Sequence, residues 1–121
     1  MLGLENDQIM QLMISVVSAE EARVAAANGA DILDVKNPAE GSLGAQSPRV
    51  IKQVTDAAAG LAKVSAAIGD MPNLPGTASL AALGAAVCGV DFVKVGLYGP
   101  RTEGEAIYLL REVKQALYEY P

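Results

Sequence analysis

"DILDVKNPAEGSLGAQSPRVIKQVTDAAAG", residues 31–60, holds one complete structural unit, and its reading decides the fold. Residues 31–37 form a short apolar run of strand type, interrupted by Asp34 and Lys36 where a buried strand should carry only aliphatic side chains. A loop punctuated by Gly41 and Gly44 follows. Ser47 then stands as a helix cap with Pro48 at the first helical position, and the helix runs to the glycine at 60. The unit is strand, loop, helix.

The same order recurs on both sides. Upstream, "QLMISVV" (11–17) reads as a strand, and Ser18 with Glu21 forms a capping box opening a helix that closes at Gly29. Downstream, "LAKVSAAIG" (61–69) is a third strand, "DMPNLPGT" (70–77) a turn-rich connection, and "ASLAALGAAVCG" (78–89) a helix of small residues. "DFVKVGLYG" (91–99) is the fourth strand. Thr102 and Glu105 make a second capping box, and Ile107, Leu110, Val113 and Leu117 have the spacing of one apolar helical stripe. Four strand–helix units with parallel strands and right-handed crossovers imply an α/β fold, either a doubly wound sheet or part of a barrel.

Composition narrows the function. At 121 residues the chain is one domain at most, and its hydrophobic fraction of 51% comes from Ala, Val, Leu and Ile rather than aromatics, as suits a parallel sheet covered by helices. A formal charge of −5 with no run of basic residues argues against nucleic-acid or anionic-membrane partners. One cysteine and no histidine rule out an internal disulfide, a Cys/His zinc site and a Ser-His-Asp triad, and favour a reducing cytoplasm. Cys88 reads as a buried, inert thiol. The amino terminus has acidic residues and no basic segment, so no signal peptide is expected, and no apolar run reaches membrane-spanning length. No cofactor and no metal are implied, and a small molecule is the expected partner.

In parallel α/β folds, ligands bind at the carboxyl ends of the strands. Alternation puts Ile32, Asp34 and Lys36 on one strand face, and Lys94 takes the comparable place in the fourth strand with Phe92 and Gly96 beside it. Two lysines from alternate strands would converge there. A lysine held out of water or beside a second cation gives up its proton more readily, which frees an amine to attack a carbonyl. The competing reading is a plain ion pair of Asp34 with Lys36 or Lys94 at the rim of the sheet. Weaker candidates for substrate contact are Gly41 and Gly44, whose loop amides could cradle a phosphate, Asp70 at the end of the third strand, and Ser15 in the first. Lys63 falls at the opposite, stabilising end.

Three stretches, "GADILDVKNPAEGSLGA", "IGDMPNLPGTASLAALGAA" and "DFVKVGLYG", closely resemble the (5-formylfuran-3-yl)methyl phosphate synthase family of methanofuran biosynthesis, also called 4-(hydroxymethyl)-2-furancarboxaldehyde phosphate synthase. The resemblance runs from about Met10 to the end, so residues 1–9 read as an extension and residues 10–121 as the domain. It implies a TIM-barrel enzyme that condenses two molecules of glyceraldehyde 3-phosphate, with loss of phosphate and water. It also implies Lys36 as the Schiff-base lysine, Lys94 as the proton acceptor and Asp34 as an active-site aspartate. Members of the family are about twice as long, so this chain corresponds to the amino-terminal half of a (β/α)8 barrel. A Schiff-base aldolase for another phosphorylated sugar and a non-catalytic half-barrel module remain as alternatives. Free sheet edges imply association with a second copy or with a carboxy-terminal half.

Overall fold

The computed structural model describes residues 10–120, so the expected extension 1–9 lies outside the described residues. The elements alternate as expected: β1 (Met13–Val16), α1 (Ala19–Ala27), β2 (Ile32–Val35), α2 (Pro48–Ala58), β3 (Lys63–Asp70), α3 (Pro75–Ala86), β4 (Phe92–Gly96) and α4 (Glu103–Glu119), with a 3-10 turn at Pro38–Glu40 after β2. The strands form one parallel sheet in the order β1-β2-β3-β4. Sequential parallel neighbours of this kind are half of a closed (β/α)8 barrel.

Alternation divides the sheet into two unlike faces. Val16, Leu33, Val35, Val64, Ala66 and Ile68 point to the helices and are buried in the core, joined by Val54 of α2, Ala78 and Ala82 of α3, and Leu109 and Val113 of α4. Each fully buried Leu or Val here contributes about 1.5–3 kcal/mol by leaving water. The opposite face carries Met13, Ser15, Asp34, Ser65, Phe92 and Lys94, and nothing in the described chain covers it as helices cover the first face.

Details depart from the sequence reading for identifiable reasons. Helix α3 begins at Pro75, inside the stretch expected to be turn, because proline lacks the amide that the first helical turn leaves unpaired anyway. Ser47 does hold the cap position of α2, but its hydroxyl makes no capping bond and its carbonyl alone takes the first helical amides. In α4 the buried stripe is Leu109, Val113 and the half-buried Leu117, while Ile107 and Leu110 are exposed. That helix carries apolar residues on more than one side, and packing against α3 selects the side that is covered. Both capping boxes form with their acidic arm reaching one residue further back than expected: Glu21 accepts from the Val17 amide and Glu105 from the Arg101 amide. Ser18 and Thr102 accept from the amides of Glu21 and Glu105 as expected.

Two aspartates fasten the amino ends of neighbouring strands. Asp31 Oδ2 accepts from the Leu12 amide at 2.7 Å, and Asp91 Oδ2 from the Val64 amide at 3.0 Å. Both stand just before a strand and two residues after a glycine of positive φ, Gly29 and Gly89.

Candidate active site

Asp34 is the third residue of β2 and is fully buried, which a carboxylate tolerates only with partners. It has two. Ser65 of β3 donates its hydroxyl to Oδ1 at 2.6 Å, and Lys94 of β4 donates to Oδ2 at 2.7 Å. The ion pair is asymmetric in exposure, since the lysine side chain is 40% accessible and the aspartate 0%. Of the two pairings open on the sequence, the structure forms Asp34 with Lys94.

Lys36 follows β2 directly and keeps the sheet register, its amide donating to the Val16 carbonyl at 3.3 Å. Its own carbonyl accepts from the Gln46 side-chain amide at 3.1 Å, and its Nζ lies 3.3 Å from the Ser42 carbonyl. The pairings of Val35 with Ala66 and of Ala67 with Lys94 place Lys36, Ala67 and Lys94 in one row across the sheet. Two strand spacings separate the backbones of the lysines by about 10 Å, well within the combined reach of two lysine side chains. Ala67 stands between them in that row.

Ser15 and Asp70 also reach this face. Ser15 pairs with Asp34 across the β1–β2 ladder and is exposed. Asp70 arrives by a bulge: Ala67 opposes Lys94 while Asp70 opposes Gly96, so β3 spends three residues where β4 spends two. Gly69, at φ +106, absorbs the extra residue. The bulge turns Asp70 onto the lysine face, where its carboxylate lies in the space that a Cβ on Gly96 would fill. Gly99 is tied in the same way to the backbone of Met71 and Pro72, so the loops after β3 and β4 lie directly against each other. A cleft of about 490 Å³, lined by Asp70, Pro72, Tyr98, Gly99 and Arg101, opens where they meet.

In the glycine loop the two glycine amides are engaged internally. Gly41 donates its amide to the Pro38 carbonyl and Gly44 to the Gly41 carbonyl, so both are taken within the loop. Gly44 is required sterically, because a Cβ there would overlap the Asn37 carbonyl. Ser65, Gln46 and Arg101 were not singled out in the sequence. Ser65 was legible as a polar residue inside the apolar middle of β3; nothing local marks Gln46. Among the described residues no group of three or more His, Cys, Asp or Glu side chains is placed to hold a metal, and no helix is long and apolar enough to cross a membrane.

Parallel βα units with charged side chains gathered at the carboxyl ends of the strands define one half of a TIM-barrel protein. Solved structures agree on the fold: dihydrodipicolinate synthase from Aquifex aeolicus matches with TM-score 0.72 at 19% identity, covering 89% of this chain and 42% of that one. A Schiff-base-forming fructose-1,6-bisphosphate aldolase matches with TM-score 0.54 at 18% identity, covering 94% and 45%. The family is shown by sequence: the family model described as 4-HFC-P synthase matches residues 12–120, and the chain belongs to that family. A relative from Methanosarcina barkeri, named (5-formylfuran-3-yl)methyl phosphate synthase, is 54% identical over 111 residues, 92% of this chain and 47% of its own length. One of the same name from Archaeoglobus fulgidus is 52% identical over 112 residues, 92% and 48% respectively. The chain thus spans about half the length of the curated relatives it matches.

Proposed function

We propose that this chain carries the Schiff-base half of a (5-formylfuran-3-yl)methyl phosphate synthase, a cytoplasmic enzyme of methanofuran biosynthesis acting without a cofactor. The observation that supports it is the row Lys36, Ala67, Lys94 with Asp34 bound to the second lysine. In this reading the Lys36 amine adds to the aldehyde of glyceraldehyde 3-phosphate and water leaves, giving an iminium that acidifies the neighbouring carbon. Lys94 is the acceptor of that proton, and the Asp34 carboxylate beside it stabilises the ammonium produced. The resulting enamine attacks the aldehyde of a second triose, and ring closure with net loss of one phosphate and two water molecules, together with release of the Lys36 amine, yields the furan. Borohydride reduction in the presence of glyceraldehyde 3-phosphate, read by peptide mass spectrometry, should label Lys36. Label that persists in Lys36→Ala overturns the assignment, and a trapped adduct that yields no furan favours an aldolase for a different phosphorylated sugar.

The half-length match supports a second reading, in which the chain alone is a binding or assembly module and the complete site forms only with a carboxy-terminal half. Furan production by this chain alone refutes that reading; production only after a carboxy-terminal half is added supports it.

A further inference from the structure

The condensation proposed above brings two phosphate esters to one site, yet the lysine row offers its amines to carbonyl chemistry and the glycine loop has no free glycine amide. A separate cation is needed. The cleft between the β3–α3 and β4–α4 loops supplies one. Of the residues that line it, Arg101 is the cation, Tyr98 brings a phenol hydroxyl, and Gly99 forms the floor through its contact with the Met71–Pro72 backbone. The Arg101 amide is fixed to Glu105 Oε1 at 2.9 Å, which anchors the base of the side chain at the start of α4. The inner wall is Asp70, whose carboxylate lies on Gly96, and Gly96 is two residues along β4 from Lys94 on the same face. The cleft therefore lies beside the lysine row, joined to it by the Asp70 carboxylate on Gly96, and Arg101 is its cationic lining residue.

We propose that this cleft is a phosphate subsite: Arg101 binds the phosphate of one triose, and Asp70 accepts a hydrogen bond from a hydroxyl of the same molecule, so that the carbonyl end is directed at the lysines. A guanidinium suits this role because its planar array of donors meets a phosphate through two parallel bonds. The carboxylate at the inner end adds polarity, since it repels a phosphate turned the wrong way round. The proposal rests on the Schiff-base reading for the identity of the ligand but not for the existence of the site.

The test is binding, measured on this chain by amide chemical-shift titration with glyceraldehyde 3-phosphate, with inorganic phosphate and with unphosphorylated glyceraldehyde. The wild-type chain, Arg101→Met, Arg101→Lys and the control Arg49→Met at the start of α2 are compared. Saturable shifts at residues 98–101 are expected with the phosphorylated triose, weakened tenfold or more in Arg101→Met, partly restored in Arg101→Lys and unchanged in Arg49→Met. Stronger binding of the ester than of inorganic phosphate assigns the site to substrate; the reverse assigns it to the phosphate released. Equal affinity in wild type and Arg101→Met, or no response to either phosphate ligand, overturns the proposal. Borohydride trapping on the same samples separates the two claims: Lys36 labelling that ignores Arg101 removes only the subsite, and Arg101-dependent binding without Lys36 labelling removes only the Schiff base.

Discussion

Asp34 is the residue on which the site's electrostatics turn, because a carboxylate with no solvent access has, among the described residues, Ser65 and Lys94 to replace its water. Removing the lysine leaves a buried charge held by one hydroxyl, whereas removing Lys36 takes away an amine whose contact is a carbonyl oxygen. Lys94→Met is therefore expected to cost about 2 kcal/mol of stability, below the full range for a wholly buried pair because Lys94 is partly exposed. Lys36→Met should stay within about 0.5 kcal/mol. Adding Asp34→Asn to Lys94→Met should recover part of the loss, since the amide brings no charge and still accepts from Ser65. Urea denaturation of the three variants beside the wild type reads this directly; equal losses in the two lysine variants would show that the ion pair does not govern stability. Asp34, Lys36 and Lys94 were legible in the sequence because charges stand out in apolar strands. Which lysine pairs with Asp34 was not, since that depends on cross-strand register.

At the scale of elements, the alternation of strand and helix was legible throughout, because period-2 runs, capping residues and closing glycines all agree. The bulge in β3 was not. "IGD" reads as the close of a strand, and only the pairing with β4 shows that Gly69 adds a residue and reverses the side on which Asp70 emerges. Gly69→Ala meets no steric neighbour closer than the Met71 sulfur at 3.8 Å, so its effect isolates backbone strain at φ +106. It is expected to cost about 1–3 kcal/mol, with Asp70 displaced from its place on Gly96. Thermal unfolding and the amide shifts of residues 96–101 together test this, and an alanine tolerated without change in either would mean that the bulge is not held by that glycine. The strand clips escaped notice for a similar reason: Asp31 and Asp91 look like ordinary turn residues until a neighbouring strand presents its amide. Asp31→Ala should cost about 1 kcal/mol and loosen the start of β1, whereas Asp31→Asn should retain most of the bond. Hydrogen exchange at Leu12 distinguishes the two.

Among the described residues, helices cover one face of the sheet only, while the other is partly closed by its own side chains and loops. β1 and β4 each present a parallel edge that is unpaired among the described residues, and the exposed face and rims carry Leu12, Met13, Val17, Phe92 and Leu97, all at least 39% accessible. A groove of about 750 Å³ runs along the β1 edge beside α1, lined by Leu12, Ile14, Val16, Val24 and Ala25 among others. In a closed barrel, further strands pair with both edges and further helices fill such grooves. Open edges and apolar surface favour association. This chain by itself is therefore expected to self-associate, with β4 of one copy meeting β1 of another, and to change partner when a carboxy-terminal half is supplied. Light scattering over a dilution series checks the first part, and a monodisperse, cooperatively unfolding monomer at micromolar concentration would refute it. The second follows from geometry. A matching half can pair with both edges at once, whereas a second copy pairs two sheets whose inner faces both carry Asp34, Lys36 and Lys94. Four lysines would then crowd one interior, and like charges held close weaken the closure. Mixing the chain with a carboxy-terminal half should thus convert self-associated material into a one-to-one complex, and failure to exchange would show that the charged face does not decide which partner the edges accept.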